Sequence, residues 1–306
     1  MTVTPDDPAV TPDPGAARVD PASIADDPAA LRQRLAGVRA LVLDADGVLT
    51  LKGRPIDGSA EAIERLLGRG IPFRVVTNFS SMHRETLAAR FTEGGLPIPA
   101  GSIVTAASAA AAYVRARHPD SFVLGQPDAL REFEGIRLGT AAEVDAGAAA
   151  SAVVVGDAGD DLTFRDLDRA FGLVRRGAEL VAMHRNPWWL TPRGETLDSG
   201  ALVAALEYAA ERKAVVAGKP APTVFRVALA AIAGDLGHRP ARGEVGMVGD
   251  DLLSDVRAGQ RAGLRGILVL TGKHGRADVE RLGQGPRGIR ADAIAPSLAA
   301  VVAALD

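Results

Sequence analysis

The chain has no cysteine in its 306 residues. That excludes disulfides, thiolate metal sites and cysteine nucleophiles, and it permits a reducing compartment. Aromatic residues are scarce at 4 %, so a core must be built from Ala, Val, Leu and Ile. Basic excess is missing too. The formal net charge is −3, which offers no electrostatic footprint for nucleic acid or an anionic membrane. No apolar run is long enough to span a bilayer, and no basic start followed by an apolar stretch marks a secretory leader. These absences lead to an expectation of a cytoplasmic protein with neither nucleic-acid nor membrane partners. Residues 1–28 hold six prolines and six aspartates, with Arg18 as the one positive charge. Such a segment buries too little apolar surface to offset its ordering entropy and reads as a disordered tail.

What is present is 47 % hydrophobic residues, enough for a sizeable core and two domains. Ala40-Leu41-Val42-Leu43 reads as a strand buried on both faces. A helix follows, with Ser59 as N-cap and Ala62, Ile63, Leu66 and Leu67 as its apolar stripe, and then a strand at Pro72–Val76. The same grammar returns late. Val215-Val216 leads into Gly218-Lys219-Pro220, Thr223 caps a helix, and Val245–Val248 and Gly266–Leu270 are strands. Alternating strands and helices indicate an α/β fold with a parallel sheet.

Spacing divides the chain. Asp44 to Thr77 is 33 residues (77 − 44) and Lys219 to Asp250 is 31 (250 − 219), each one strand–helix–strand step of about 30 residues. Thr77 to Lys219 is 142 residues (219 − 77), which leaves room for an insertion. The expected division is a tail over 1–28, a first core segment over 29–106, an inserted α/β domain over 107–199 and a second core segment over 200–306. The alanine-rich run Ala106–Ala112 needs no explanation beyond helix propensity.

Four short segments carry the chemistry. Asp44 ends a buried strand, where α/β sheets present ligands; a carboxylate there can attack phosphorus. Asp46, two residues on, can protonate a leaving oxygen and then activate water. Taken alone, Asp-x-Asp-Gly is equally a solvated turn. Thr77 and Asn78 follow the next strand, where a hydroxyl and N–H groups can hold a phosphoryl oxygen, or simply start a helix. Pro220 keeps Lys219 out of a helix, and its ammonium can bridge Asp44 and the transferring group. Asp250, Asp251 and Asp255 follow a third strand. Asp250 is the candidate metal ligand with Asp44 and the backbone carbonyl of Asp46. Asp251 and Asp255 would stand behind, holding waters or orienting Lys219, or would only complement a helix N-terminus. Carboxylate pairs about 4 Å apart repel by roughly 4 kcal/mol at an effective dielectric of 20, so their convergence implies a cation. Oxygen donors favour Mg2+, with Mn2+ as a substitute.

In this order the segments resemble those of the haloacid dehalogenase (HAD) superfamily over residues 38–290. An insertion between the second and third motifs resembles the class II, subclass A (NagD-like) phosphatases, as do Val153–Asp157, Leu162-Thr163-Phe164, Leu197–Ala209 and Gly218-Lys219-Pro220. Leu202–Pro220 and Met247–Asp255 look closest to the phospholysine phosphohistidine inorganic pyrophosphate phosphatases and their relatives. The resemblance implies a Rossmann-like parallel-sheet core with a cap. It implies Asp44 as nucleophile, Asp46 as acid/base, Thr77 and Asn78 on phosphate, Lys219 as charge neutraliser and Asp250 on magnesium. It also implies a small phosphorylated metabolite as substrate and homodimers through the cap. The chain departs from the subclass at Met183–Trp189, which lacks the Ala-Thr-Asn-x-Asp pattern. There His184 is a candidate substrate contact, one of Trp188 and Trp189 belongs to a core or dimer interface, and His83 and His274 read as surface residues. The leading expectation is a Mg-dependent phosphatase working through an aspartyl-phosphate. The alternatives are a phosphotransferase using the same site and a non-catalytic phosphometabolite-binding protein.

Overall fold

The computed structural model describes residues 27–191, 194–283 and 289–305. Two parallel sheets organise it. The larger has six strands in the order Ala293–Ala295, Arg265–Val269, Val245–Gly249, Ala40–Leu43, Phe73–Thr77, Ile103–Thr105. Every residue of Ala40–Leu43, Phe73–Thr77 and Val245–Gly249 is buried, as expected for strands covered by helices on both faces. The first strand is central. From it the chain moves to Phe73–Thr77 on one side and later to Val245–Gly249 on the other. Leu43 is in register with both Val75 and Val248. The strand order thus reverses at this point, and the carboxyl ends of three strands meet there in a crevice.

The second sheet runs Val215–Val216, Glu179–Ala182, Ala152–Val155, Asp120–Leu124, Arg137–Leu138, also parallel throughout. Two antiparallel hairpins complete the strands, Thr50–Leu51 with Arg54–Pro55 and Trp188–Thr191 with Gly194–Leu197. The helix Ser199–Ala210, assigned above to the returning core, packs Val203, Leu206 and Ala210 into the apolar cluster of the second sheet. Val215–Val216 likewise forms that sheet's edge. The cause is local: the helix offers an apolar stripe to the helix Phe164–Arg175, whose own Ala170, Leu173 and Val174 face it in the same cluster.

Several local expectations differ in detail. Ser59 is the first helical residue rather than the cap; its Oγ donates to Leu49 O at 3.0 Å, while Gly58 occupies the cap position. Leu67 lies on the exposed side of that helix. Ala221, not Thr223, precedes the helix Pro222–Leu236. The tail assigned to 1–28 falls on residues 1–26, outside the described residues. Asp27 and Pro28 instead start the helix Pro28–Leu35, with the Asp27 carboxylate accepting from Ala29 N. Among the described residues no helix is long and apolar enough to cross a membrane.

The alanine-rich helix Ala106–Arg115 has a role that propensity did not reveal. Ala106, Ala107, Ala109, Ala110 and Ala111 are all buried, in one cluster that joins Ala40, Val42 and Val76 of the first sheet to Ala152, Val154 and Val181 of the second. Small side chains let the helix lie close to its neighbours on nearly every side. Ala110→Leu is therefore expected to overpack this junction and cost about 1–3 kcal/mol, measured as a lower urea midpoint at unchanged m-value.

Candidate active site

Asp44 follows the central strand directly, its N–H still in the sheet and donating to Val248 O at 2.9 Å. One carboxylate oxygen, Oδ1, accepts from Ala45 N at 2.7 Å and meets Lys219 Nζ at 2.5 Å. Oδ2 has no partner among the described residues. Asp46 is exposed in the crevice, with Oδ1 accepting from Thr50 Oγ1 at 3.3 Å. Its carbonyl oxygen accepts no hydrogen bond among the described residues. Gly47 lets this turn form. Its φ of 76° is left-handed, and a Cβ there would run into the Asp250 carboxylate.

Lys219 is buried, and its ammonium is shared between Asp44 and Asp255, the latter at 2.8 Å. The other oxygen of Asp255 accepts from Asp251 N at 3.1 Å, so both its oxygens are engaged by protein. Asp250 accepts from Lys273 N at 2.7 Å through Oδ2, leaving Oδ1 without a described partner. One oxygen each from Asp44, Asp250 and Asp255 lies within 4.8 Å of the others. Thr77 is buried at the end of the adjacent strand; its Oγ1 accepts from Phe79 N at 3.3 Å, and its hydroxyl proton has no acceptor among the described residues.

The electrostatics follow from burial. Desolvation raises the Asp44 pKa despite the opposing pull of Lys219, and it raises that of Asp250 despite the Lys273 N–H. Asp255 is pushed up to about 7 by burial and then by the Asp44 charge, against Lys219. Burial disfavours the Lys219 ammonium, but the carboxylates of Asp255 and Asp44 outweigh it and hold the pKa above the usual lysine value. Three carboxylates against one ammonium leave a formal surplus of two negative charges in a partly dry cleft. A small divalent cation with oxygen ligands fits this set. Asp250 Oδ1 and the Asp46 carbonyl have unused oxygens to hold it beside Asp44, whereas Asp255 has none free.

The structure brings Asp44, Asp46, Thr77, Lys219, Asp250 and Asp255 to one crevice and treats other expected residues differently. Asp251 does not touch Lys219. Its Oδ1 accepts from Leu253 N at 2.7 Å and Ser254 N at 3.2 Å, capping the next helix, and its Oδ2 pairs with Lys273. Burial opposes its ionisation, but the Lys273 contact and those two N–H groups hold its pKa below the usual range. Asn78 spends its side-chain amide on the Lys219 backbone and Asn186.

His184 is buried, and its ring nitrogens are engaged by neighbouring protein groups. Its Nε2 lies 3.0 Å from Ser80 Oγ and 3.2 Å from Ser199 Oγ, while Nδ1 accepts from Asn186 N at 3.3 Å. Burial lowers its pKa against the pull of Asp198 and Asp157, so the neutral ring, protonated on Nε2, is the form that fits. Trp188 and Trp189 are both exposed on their hairpin, 53 % and 46 %, so neither fills a core in the single chain. His274 is buried, its Nδ1 3.3 Å from Leu252 N, and His83 caps the helix Arg84–Glu93 by accepting from Glu85 N. Neither is a plain surface residue.

Sequence reasoning missed the loop after Arg265–Val269. There Thr271 Oγ1 donates to Gly47 O and Lys273 serves both Asp250 and Asp251. The signal was available: this strand also ends at the crevice edge, and Thr-Gly-Lys follows it.

Comparison with known proteins agrees with this geometry. Residues 41–138 match the family model described as haloacid dehalogenase-like hydrolase, and residues 216–301 match a second model of HAD-hydrolase-like proteins. The chain is 34 % identical over 249 residues to haloacid dehalogenase-like hydrolase domain-containing protein 2 of Bos taurus, covering 81 % of this chain and 90 % of that one. It is 32 % identical over 278 residues to phospholysine phosphohistidine inorganic pyrophosphate phosphatase of Danio rerio, covering 89 % and 95 %. Among solved structures, NagD from Escherichia coli K-12 superposes with a TM-score of 0.73 at 28 % identity, covering 86 % of this chain and 97 % of NagD.

Gly47→Ala is expected to cost about 1–2 kcal/mol from the left-handed backbone alone, and to displace the Asp250 carboxylate. Urea unfolding checks the first effect. A crystal structure of the variant, with the Asp250 side chain in a changed rotamer, checks the second.

Proposed function

Because this chain belongs to the haloacid dehalogenase-like hydrolases and is a NagD-like phosphatase, we propose that it hydrolyses a small phosphorylated metabolite through an aspartyl-phosphate, an acyl phosphate formed on Asp44. The observation that carries this reading is the buried contact of one ammonium with two carboxylates. Lys219 Nζ holds Asp44 through Oδ1 alone, at 2.5 Å, which leaves Oδ2 as the attacking atom.

In the first step Asp44 Oδ2 forms a bond to phosphorus as the bond to the ester oxygen breaks, and the leaving oxygen takes a proton from Asp46. In the second step Asp46 removes a proton from water, the water oxygen bonds to phosphorus, and the phosphorus–Asp44 bond breaks to release inorganic phosphate. Asp46 suits both tasks because it is exposed in the crevice, two residues from the nucleophile. Lys219 opposes the effect of burial on Asp44 and so favours its ionised form, and it faces the charge of the incoming phosphoryl group. Thr77 offers its unpaired hydroxyl proton to a phosphoryl oxygen. Mg2+, or Mn2+ in its place, would be held by Asp44, Asp250 and the Asp46 carbonyl, and would supply charge neutralisation for the phosphate.

The remaining expectations become part of the same proposal. The second sheet forms a cap inserted into the first, with the returning crossing near Ala217. It carries exposed Phe164 and Tyr208, and the hairpin exposes Trp188, Trp189 and Leu197, apolar surface that supports homodimers through the cap. A reducing cytoplasm suits a chain without cysteine.

Asp44→Asn should release no phosphate above background across a panel of phosphorylated metabolites with magnesium present, while melting as a folded protein. Turnover comparable to wild type would remove Asp44 as nucleophile. The metal site has its own readout. Without magnesium, Asp250→Asn should melt above wild type, because it relieves the acidic cluster. With millimolar magnesium the wild type should rise in melting temperature and the variant should not.

A further inference from the structure

Asn78 sits at the end of the strand Phe73–Thr77, and every hydrogen of its side-chain amide is already committed. Oδ1 accepts from Lys219 N at 2.8 Å. Nδ2 donates to Lys219 O at 3.1 Å and to Asn186 Oδ1 at 3.5 Å. The amide orientation is fixed by this pattern. Turned over, it would set an NH2 group against the Lys219 N–H and a carbonyl against a carbonyl. The side-chain amide has no donor left for a phosphoryl oxygen.

We infer that Asn78 is a positioning residue that holds the main chain of Lys219 and thereby aims the ammonium at Asp44. The inference rests on the proposed role of Lys219 and extends it.

Lys219 lies in a turn, followed by Pro220, which has no N–H to continue a ladder. Its own N–H and C=O therefore have no strand partner, and the two ends of one amide satisfy both. The side chain then reaches Asp44 at 2.5 Å and Asp255 at 2.8 Å. The lysine is thus held at both ends, main chain by Asn78 and ammonium by two carboxylates. Gly218 makes the approach possible: a Cβ there would sit 2.6 Å from Asn78 Oδ1 and 2.6 Å from Met183 O. The clamp also crosses between sheets, since Asn186 follows the strand Glu179–Ala182 and Gly218 N donates to Met183 O at 2.7 Å. One side chain ties the end of a first-sheet strand, the lysine turn and the cap loop together.

The test separates positioning from phosphate binding. Two lost hydrogen bonds at the main chain of the lysine whose ammonium must meet the transition state predict a loss of about thirtyfold in kcat for Asn78→Ala, with KM and inhibition by inorganic phosphate changed less than about twofold. Gly218→Ala, which strikes the same clamp from its other partner, should give the same split. Melting temperatures confirm that each variant folds. Hydrogen exchange at the Lys219 amide should speed up at least about tenfold in Asn78→Ala. In single turnovers the pair Asn78→Ala with Lys219→Gln should lose no more than Lys219→Gln alone.

A raised KM and weakened phosphate inhibition at unchanged kcat would make Asn78 a phosphate ligand and overturn the inference, as would losses that multiply in the double variant. Unchanged kinetics in Asn78→Ala beside an inactive Lys219→Gln would remove the inference alone. Full turnover by Lys219→Gln would remove the site reading and the inference with it.

Discussion

The structure turns on one buried ammonium shared by two carboxylates. A lysine out of water is costly, and so is each carboxylate beside it. The arrangement is tolerable because each oxygen that is not left for chemistry has a donor. Asp255 gives one oxygen to Lys219 and the other to the Asp251 N–H, and Asp44 gives one to Lys219 and the Ala45 N–H. What remains unpaired, Asp44 Oδ2 and Asp250 Oδ1, faces the crevice. The unsatisfied atoms of this cluster are thus the ones that the proposed reaction uses.

Strand order is what makes the contact possible. Asp44 and Lys219 are separated by 175 residues (219 − 44), and no local rule brings them together. The central strand Ala40–Leu43 pairs with Val245–Gly249 on one side and Phe73–Thr77 on the other, so the residues after each strand become neighbours. Lys219 arrives by a different route, from the edge strand Val215–Val216 of the second sheet. The second sheet therefore delivers the lysine to the first sheet's crevice, and the Asn78 amide receives it there. A shared apolar cluster through the helix Ala106–Arg115 keeps the two sheets in the register that this delivery requires.

Much of this was legible in the chain, because buried parallel strands read as short apolar runs and acidic residues after them are rarely accidental. Asp44, Asp46, Lys219, Asp250 and Asp255 were readable for that reason. The rest depended on tertiary facts that no periodicity carries. His184 looked like a ligand because histidine beside a sequence departure draws attention; it is the buried junction of Ser80 and Ser199 instead. Asn78 looked like a phosphate contact because it follows Thr77, and only the position of Lys219 shows where its amide is spent. Lys273 was overlooked because a lone lysine in a loop has no pattern of its own; only its place after a strand that ends at the crevice edge marks it. The helix Ser199–Ala210 has apolar residues that suit either sheet, so its partner could not be read from its own sequence.

The charge balance gives the site its character. Lys273 offsets Asp251, and Lys219 offsets one of Asp44 and Asp255, so the uncompensated charge falls on the remaining carboxylate and Asp250. A protein selected only for stability would replace one of these acids, since relieving repulsion between buried like charges is favourable. The elevated pKa values of Asp44, Asp250 and Asp255 record their burial first and that repulsion second. In the proposed function a divalent cation would relieve it, and a phosphate dianion could then enter a cleft that would otherwise repel it. On that proposal the same surplus that destabilises the bare fold would make occupancy by metal favourable, and would couple the binding of substrate to the binding of the ion.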